Sequence, residues 1–306
     1  MNLAPIVLFV YNRFKHTLQT IEALKNNSLS MQSDLYIYSD GPRSENDFIE
    51  VDKIRKYLKS LTGFKNIFII ERPENFGLAK NIFDGVTSIV KIHSKVIVLE
   101  DDIITSTHFL NYMNDALFLY ENNETIMHIS GYMYPINTSE LPDFFTLCQS
   151  TCWGWATWET SWNKMYYDID HLIKSIKPHK KRFNLNQSFP FYDQLIANKK
   201  NKIKTWAIFW YSTIFLNNGI AIHPKQSFTQ NIGHDDSGEN CHDTNFFYTN
   251  LIQNYQILSL QELVLNENLK ARKSLELYFI SFKQSFFDRV KIKIKYIYDI
   301  CINLFY

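Results

Sequence analysis

Several common signals are missing from this 306-residue chain. The first predicted strand is not followed by G-x-G-x-x-G, and no G-x-x-x-x-G-K-[ST] motif occurs, which argues against a dinucleotide oxidoreductase and a P-loop protein. No run of about 18 apolar residues is present, so we predict no membrane-spanning helix. The N-terminus lacks a basic segment before a long apolar run, and Pro5 interrupts it early, so we predict no signal peptide.

The chain also has little net charge and few cysteines. Lys and Arg total 32 against 31 Asp and Glu, so no overall positive charge attracts nucleic acid, and we expect no nucleic-acid partner. The four cysteines, Cys148, Cys152, Cys241 and Cys301, show neither the paired spacing of a zinc site nor the density of a disulfide scaffold. We therefore expect reduced thiols and a cytoplasmic protein.

Strand and helix patterns alternate over roughly the first 130 residues. The predicted strands are Pro5–Tyr11, Leu35–Ser39, Ile67–Ile70, Val96–Glu100 and Ile126–Ser130. Amphipathic helices between them predict an α/β fold with a doubly wound, mostly parallel sheet. We expect one domain over residues 1–265, with this regular half at 1–130 and a mixed half at 131–265. A lysine-rich loop region is predicted over 174–204, and a helical tail over 266–306.

Three acidic residues follow the most apolar of these strands. The run from Val96 to Leu99 is typical of a strand buried on both faces, and Glu100, Asp101 and Asp102 come next. Adjacent carboxylates repel one another, so the arrangement predicts a positive partner. The obvious candidate is Mg²⁺ or Mn²⁺, which prefers oxygen ligands. A solvated acidic turn is the alternative interpretation.

Two more polar pairs are predicted at the same edge of the sheet. Asn12-Arg13 follows the first strand, and Asp40-Gly41 follows the second. Ligands of open α/β sheets bind outside the carboxyl ends of the strands. The three polar clusters therefore predict one binding site.

Aromatic residues are concentrated in the second half of the chain, which contains all six tryptophans. A packed core is the ordinary interpretation of the segment Trp153-Gly154-Trp155-Ala156-Thr157-Trp158. Rings beside a glycine near a site also suit a carbohydrate, whose C–H faces pack on aromatic faces. Farther along, the polar stretch 231–238 is predicted to be a loop.

Four motifs together resemble the nucleotide-sugar half of GT-A glycosyltransferases. They are Val-Tyr-Asn-Arg at 10–13, Ser-Asp-Gly-Pro-Arg at 39–43, Asn-Phe-Gly-Leu-Ala-Lys-Asn at 75–81 and Leu-Glu-Asp-Asp at 99–102. The Glu-Asp-Asp form, with Gly-Trp at 154–155, is similar to the N-acetylglucosaminyltransferase I-like branch and its bacterial relatives. The resemblance covers roughly residues 3–242. It implies inverting, metal-dependent transfer of a sugar from a nucleoside diphosphate sugar, with UDP as the expected carrier.

The resemblance also implies roles for individual residues. Asp102 would be the direct ligand of Mn²⁺ or Mg²⁺, with Asp101 beside it and Glu100 toward the ribose or the donor sugar. Tyr11, Asn12 and Arg13 would line the base pocket, and Asp40 and Gly41 would meet the uracil or ribose. The other implied substrate-binding residues are Asn75, Gly77, Lys80, Asn81, Trp153, Gly154, Trp155, His234 and Ser237.

The general base is the least defined part of the predicted site. Relatives have an aspartate pair beside a tryptophan, whereas this chain has Trp206-Ala207-Ile208 at the nearest match. Asp235, Asp193 and Glu159 remain as candidate bases, and Asp235 is favoured because a closing loop can bring it to the donor. An Asx turn is the alternative role for Asp235.

The acceptor implied by the resemblance is a saccharide or a lipid-linked saccharide, in the assembly of a surface polysaccharide or lipopolysaccharide. One alternative is a sugar nucleotidyltransferase, although the segment 11–15 lacks the glycine-rich loop of that class. Another is a non-catalytic saccharide-binding protein on the same fold, since an obvious base is missing at 207–208.

The C-terminal residues 275–306 alternate apolar and basic side chains, as in Phe286, Phe287 and Val290 with Arg289 and Lys291. A basic amphipathic helix can lie on an anionic membrane surface. It can equally pack on the domain. Both interpretations stay open, so the expected location is the cytoplasm, either free or peripherally on the inner face of the cytoplasmic membrane.

Overall fold

The computed structural model describes residues 2–235 and 245–283. Within these ranges a large central sheet is accompanied by a short two-stranded sheet. The strands are β1 Ile6–Val10, β2 Asp34–Ser39, β3 Asn66–Glu71, β4 Lys95–Glu100, β5 Ile103–Thr105, β6 Ile126–Ser130, β7 Phe144–Leu147, β8 Trp155–Trp158, β9 Ile220–Pro224 and β10 Thr229–Asn231.

The central sheet has the strand order β3-β2-β1-β4-β8-β6-β9-β7. The four strands β3, β2, β1 and β4 are parallel neighbours, with Ile6 of β1 opposite Leu35 of β2 and Ile97 of β4. Farther along, β6 is parallel to β9, while β7 and β8 pair antiparallel with their neighbours. The predicted α/β fold with a mostly parallel sheet is confirmed.

The strand order departs from a simple alternation at β8. This strand lies between β4 and β6 and is antiparallel to both, so β6 does not pair with β4. All four of its residues are buried. Gly154 precedes β8 with a φ of +75°, and a Cβ there would lie 2.6 Å from the Thr229 side chain. Only glycine fits this turn without strain, and the turn brings the tryptophan-rich strand into the middle of the sheet.

Helices cover both faces of the sheet. They are α1 Phe14–Lys25, α2 Glu45–Lys59, α3 Leu78–His93, α4 Phe109–Leu119, α5 Glu159–Trp162, α6 Ile169–Ile176, α7 Lys180–Phe183, α8 Phe191–Lys199, α9 Ala207–Leu216, α10 Ile257–Gln261 and the helical residues 269–283, called α11 below. Helices α1, α2 and α4 pack on one face with Ile6 and Leu8 of β1, while α3, α5 and α9 pack on the other with Val7 and Phe9. The unbroken apolar run of β1 is therefore buried on both sides.

The lysine-rich stretch 174–204 is helical over much of its length, which corrects the predicted loop. It includes the end of α6 and all of α7 and α8. The apolar residues Ile176, Phe183 and Leu195 are buried in a second cluster, beside Phe145 and Leu147 of β7. Since lysines dominate the exposed positions, they hide the helical spacing of the buried residues between them.

Part of the predicted tail packs on the domain. Ala271, Leu275 and Phe279 of α11 are 0%, 0% and 2% exposed and belong to the second apolar cluster. The basic and aromatic run that includes Phe286 and Lys291 lies outside the described residues. Within the described ranges, no helix combines the length and the apolar character that crossing a membrane requires.

Five of the six tryptophans are packed in the interior, as the core interpretation predicts. Trp155, Trp158, Trp162, Trp206 and Trp210 are each at most 6% exposed. The Trp155 ring lies with its centroid 5.8 Å, 5.4 Å and 6.2 Å from the rings of Trp162, Trp206 and Trp210. Trp155, Trp162, Trp206 and Trp210 thus form one packed aromatic cluster in the core.

Two buried histidines hold the segment 149–151 against this aromatic cluster. His128 stacks on Trp155, its Nδ1 accepts a hydrogen bond of 3.0 Å from Trp210 Nε1, and its Nε2 lies 2.8 Å from the Thr151 carbonyl. His223 Nε2 lies 2.7 Å from the Gln149 carbonyl. Burial lowers the pKa of His128 to about 3 and that of His223 to about 4. Both rings are therefore neutral at pH 7.

We expect His128 to make the folded state sensitive to acid. A histidine in the unfolded chain has a pKa of about 6.5, so between pH 7 and pH 5 protons bind the unfolded state and favour it. The unfolding free energy of the wild type should fall over this window by about 2 kcal/mol more than that of His128→Gln, as measured by urea unfolding. The exposed-site variant His171→Gln should follow the wild type. Equal pH dependence of the wild type and His128→Gln would contradict the expectation.

Candidate active site

A cavity of about 610 Å³ opens at the carboxyl ends of β1, β2 and β4. The three polar clusters that the sequence predicts at this edge all contribute to its wall, through Asn12 and Arg13, Asp40, and residues 100–102. The opposite wall comes from the second half of the chain, including the segment 149–153 and the start of α9. The cavity therefore lies where open α/β sheets bind their ligands.

Arg13 is the positive partner of the acidic cluster. Its Nη2 lies 2.5 Å from Asp101 Oδ1 and 2.8 Å from Asp102 Oδ2. The backbone N–H of Tyr11 donates to the other oxygen of Asp101 at 3.3 Å. Both aspartates are largely buried, at 5% and 6% exposure. One guanidinium thus bridges two carboxylates that are shielded from water, which favours short, charge-assisted hydrogen bonds.

The acidic cluster shifts the proton affinities of its members. The pKa of Glu100 is raised to about 8, mainly by burial and further by the charges of Asp102 and Asp101. A hydrogen bond from Trp206 acts in the opposite direction. Burial also raises the pKa of Asp101, against the effect of Arg13. Burial alone would lower the pKa of Arg13, but the two aspartates raise it above its ordinary value. The cluster therefore favours a protonated Glu100 beside an ionised Arg13 at pH 7 when no further cation is present.

A two-stranded sheet fixes the turn that contains Asp102. β5 follows this turn and pairs with β10, with Ile103 opposite Asn231. The Ile232 N–H donates to the Asp102 carbonyl at 2.8 Å. A Cβ on Gly233 would lie only 2.3 Å from Asp102 Oδ2. The segment 231–235 can therefore approach the acidic cluster because residue 233 has no side chain, and it brings His234 to the cavity.

Asp40 joins two loops at the same edge. Its Oδ1 accepts from the backbone N–H groups of Gly41 at 2.9 Å and Phe76 at 2.8 Å, and its Oδ2 accepts from that of Gly77 at 3.0 Å. Asn75 Nδ2 donates to the same Oδ2 at 3.2 Å. A Cβ on Gly41 would lie 2.3 Å from the Glu74 carbonyl carbon, so this close contact requires glycine. The Asp40 carboxylate thus positions the loop that leads into α3.

The wall from the second half of the chain carries no Asp, Glu, Lys or Arg among its described residues. It is formed by Tyr134, Gln149, Ser150, Thr151, Cys152, Trp153, Phe189, Phe191, Gln194, Thr205, Trp206, Ala207, Ile208, Tyr211, Asn231, His234, Phe247 and Phe279. Gln149 and Ser150 are 2% and 6% exposed. Within the described ranges, Gln149 Oε1 and Ser150 Oγ have no hydrogen-bond partner. Buried polar atoms are normally satisfied, so these two are available to a ligand.

The donor set at the acidic cluster fits an open metal site rather than a closed one. No group of three or more His, Cys, Asp or Glu side chains is arranged to hold a metal ion in the part of the chain that the structure describes. Five carboxylate side chains but only two guanidinium groups, Arg13 and Arg43, line the cavity. A diphosphate would therefore need further positive charge. Mg²⁺ commonly binds through one or two carboxylates and completes its shell with substrate phosphates and water, which Asp102 and Asp101 would suit.

Ten of the predicted site residues line the cavity. They are Tyr11, Asn12, Arg13, Asp40, Asn81, Glu100, Asp101, Asp102, Trp153 and His234. Trp153 is the one partly exposed tryptophan, and its ring meets His234 edge-on with the centroids 5.2 Å apart. The predicted strand-end residues therefore come together in space with residues from the second half of the chain.

Other predicted residues are not part of the cavity wall. Gly41, Asn75 and Gly77 support it through Asp40, and Lys80 lies over the Phe76 ring at 4.0 Å. Gly154 forms the turn before β8, and Trp155 is packed in the sheet at 0% exposure. Ser237 lies outside the described residues.

The three candidate bases lie in different places. Glu159 begins α5, and its N–H bonds to the Ser94 carbonyl, at the edge of the sheet away from the cavity. Asp193 is exposed on α8 and pairs with Lys180 at 3.0 Å. Asp235 follows His234 and pairs with His16 at 3.1 Å. Of the three, only Asp235 belongs to the segment 231–235, which approaches the acidic cluster.

Sequence reasoning missed several wall residues. Arg43 and Asp47 line the cavity beside Asn12, whose Nδ2 donates to Asp47 Oδ1 at 2.7 Å. Arg43 stands in the predicted motif 39–43 and could have been named from it. Gln149 and Ser150 form part of a polar run between two apolar strands, which is the signal that could have identified them.

No protein-family model matches the chain, and no curated protein matches it. It is similar to S. aureus TarS 1–349 in complex with UDP-GlcNAc, with 13% identity over 46% of this chain and 37% of that chain and a TM-score of 0.32. It is similar to mannosyltransferase PcManGT from Pyrobaculum calidifontis in complex with GDP-Man and Mn²⁺, with 9% identity over 70% of this chain and 72% of that chain and a TM-score of 0.38. It is also similar to mouse xyloside xylosyltransferase 1, with 11% identity over 70% of this chain and 81% of that chain and a TM-score of 0.33.

These similarities are distant. The alignment spans less than two thirds of TarS 1–349, and every identity is 13% or lower. The fold is shown by the strand order and register of this chain itself.

We expect Asp40 to contribute mainly to stability. Asp40→Ala removes the acceptor of three backbone N–H groups, so the unfolding free energy should fall by about 2 kcal/mol or more in urea unfolding. The control Asp52→Ala removes an exposed carboxylate that pairs only with Lys56 across one helical turn, and should change stability by about 0.5 kcal/mol or less. Equal effects of the two substitutions would contradict the structural role.

Proposed function

We propose that the chain is an inverting, metal-dependent GT-A glycosyltransferase of the N-acetylglucosaminyltransferase I-like branch. It moves a sugar from a nucleoside diphosphate sugar, with UDP as the expected carrier, to a saccharide or lipid-linked saccharide. The motifs at 10–13, 39–43, 75–81 and 99–102 support this proposal. A role in assembling a surface polysaccharide or lipopolysaccharide rests on the same resemblance.

The observation that carries the proposal is the division of charge in the cavity. Every Asp, Glu, Lys and Arg of its wall lies between Arg13 and Asp102, in the first half of the chain, while the second half contributes aromatic rings and uncharged polar groups. A nucleoside diphosphate sugar has a nucleoside at one end, a negatively charged diphosphate in the middle and an uncharged sugar at the other end. With a divalent cation at the carboxylates, the charged part of the cavity would hold the diphosphate, and the uncharged wall would hold the sugar and the acceptor.

The donor would bind with its base and ribose along the ends of β1 and β2. Arg43 lies over the Tyr11 ring at 5.4 Å, and Asn12 is held by Asp47. These contacts make a fixed wall of aromatic and hydrogen-bonding groups, as a nucleobase requires. The diphosphate would then lie at Asp101 and Asp102, where Arg13 bonds to both carboxylates and fixes their orientation.

The divalent cation, held by Asp102 and Asp101 when bound, would supply Lewis-acid stabilisation of the negative charge on the leaving diphosphate. The protein provides the remaining requirements. Arg13 balances the charge of the carboxylates, and the buried Trp155 cluster keeps the strand edge rigid. Gln149 Oε1 and Ser150 Oγ can accept hydrogen bonds from sugar hydroxyls in the uncharged wall.

Asp235 is the base that we propose for the acceptor hydroxyl. It follows His234, which lines the cavity, and its side chain is 48% exposed and pairs with His16 on α1. A carboxylate that takes the proton of the attacking hydroxyl would allow direct displacement at the anomeric carbon, which inverts its configuration. The segment 231–235 is anchored beside the acidic cluster through β10, and closure of this segment over the donor would bring the carboxylate to the acceptor hydroxyl.

A donor screen tests the proposed function. Thermal unfolding is measured with UDP, GDP and their sugars, with and without Mn²⁺, since a ligand of the native state raises the melting temperature. We expect a shift that requires Mn²⁺ with at least one of these donors, and its loss in Asp102→Asn. The matched control Asp52→Asn changes an exposed carboxylate of α2 and should keep the shift. Absence of a Mn²⁺-dependent shift with every donor would refute the proposal.

A second experiment tests the base. Asp235→Asn should leave the dissociation constant of the Mn²⁺–nucleotide complex unchanged within about two-fold, and should lower the rate of donor turnover by about 100-fold or more. Asp193→Asn, an exposed carboxylate paired with a lysine, is the control and should retain turnover. Full turnover in Asp235→Asn would exclude this residue as the base without affecting the donor assignment.

A further inference from the structure

A second cavity, of about 770 Å³, lies next to the candidate active site. Tyr134 lines both cavities, and the second continues along the segment 248–256 to Ser259 of α10. Its volume is in the range of sites that bind small organic ligands. None of the site residues predicted from the sequence lines it.

The side chains of this cavity are unusually rich in carboxamides. Five exposed amides line it, which are Gln226, Asn250, Gln253, Asn254 and Gln256. Gln226 and Gln253 both donate to the Leu251 carbonyl, at 3.3 Å and 3.2 Å, so their positions are fixed from one side. Each amide presents a donor and an acceptor at once, which is what a hydroxyl group needs from its partner.

Aromatic rings and balanced charge complete the wall. Tyr248 is 60% exposed, and Tyr134 and Tyr255 add two further rings. Lys225 and Asp143 are the charged residues of this wall, one of each sign, and Asp143 accepts a hydrogen bond of 2.9 Å from Ser259. A cavity without net charge does not favour a phosphate or a polyanion. Tyrosine faces with hydroxyl-matching amides favour an uncharged sugar ring, which has apolar faces and a polar rim.

Tyr134 connects this chemistry to the active-site cavity. Its ring packs against Tyr132 at 5.2 Å and Phe279 at 5.0 Å between centroids, so it is a fixed part of the wall that the two cavities share. On the active-site side it belongs to the uncharged wall with Gln149 and Ser150. A chain of sugars whose end lies in the uncharged wall would run beside Tyr134 to reach the second cavity.

We propose that the second cavity binds the distal sugar units of an uncharged oligosaccharide acceptor, whose terminal unit lies in the active-site cavity. The assignment of an acceptor rests on the proposed function. The site itself rests on the amides, the tyrosines and the shared Tyr134. The acceptor is thus an oligomer of several sugar units rather than a single sugar.

Calorimetric titration with uncharged oligosaccharides tests this site. The probes are glucose, galactose, mannose and N-acetylglucosamine and their linear oligomers of up to four units. At least one series should bind about five-fold more tightly at four units than at one. Tyr248→Ala should weaken the four-unit ligand by about five-fold and leave the single sugar unchanged, because Tyr248 lines only the second cavity. Gln253→Ala should act in the same direction.

Tyr167→Ala is the matched control, because Tyr167 is 53% exposed and lines neither cavity. No binding by any series, affinity that does not grow with length, or equal effects of Tyr248→Ala and Tyr167→Ala would overturn the proposal. Binding of UDP, GDP and their sugars with Mn²⁺ to the same variants separates it from the proposed function. Oligosaccharide binding without nucleotide binding would support the oligosaccharide site and refute glycosyl transfer. Nucleotide binding without oligosaccharide binding would refute the oligosaccharide site and leave the donor assignment intact.

Discussion

The guanidinium group of Arg13 allows three acidic residues to stand together at the end of a buried strand. Asp101 and Asp102 are almost fully buried, and an unpaired carboxylate in such a place would be strongly destabilising. Arg13 bonds to both and links the end of β1 to the end of β4. The edge of the sheet that forms the cavity therefore depends on this one residue for its charge balance.

Much of the fold is predictable because its signals are local. The unbroken apolar runs of β1 and β4 identify strands buried on both faces. Because the carboxyl ends of parallel strands meet at one edge of a sheet, Arg13, Asp40 and the acidic cluster could be predicted to lie together. The tryptophan-rich β8 is different, because its position between β4 and β6 depends on pairing between distant segments. The helices between residues 174 and 204 are not predicted, because the many exposed lysines obscure the helical spacing of the buried apolar residues.

The residues of the uncharged cavity wall were harder still to predict from the sequence, because distant contacts position them. Gln149 and Ser150 are brought to the site by a backbone segment that two buried histidines hold, and His128 in turn depends on Trp155 and Trp210. None of these contacts is local in sequence. A polar residue in such a segment is recognisable as part of a site only when its burial and its missing partner are known.

The position of Gly233 limits how a cation can reach Asp102. The backbone there lies so close that a Cβ would be 2.3 Å from Asp102 Oδ2 and 2.9 Å from Arg13 Nη1. The carboxylate is thus enclosed on one side by this backbone and by the guanidinium. A ligand of this carboxylate would therefore have to approach from the cavity. A side chain at residue 233 would therefore force either the segment 231–235 or the Asp102–Arg13 ion pair to move.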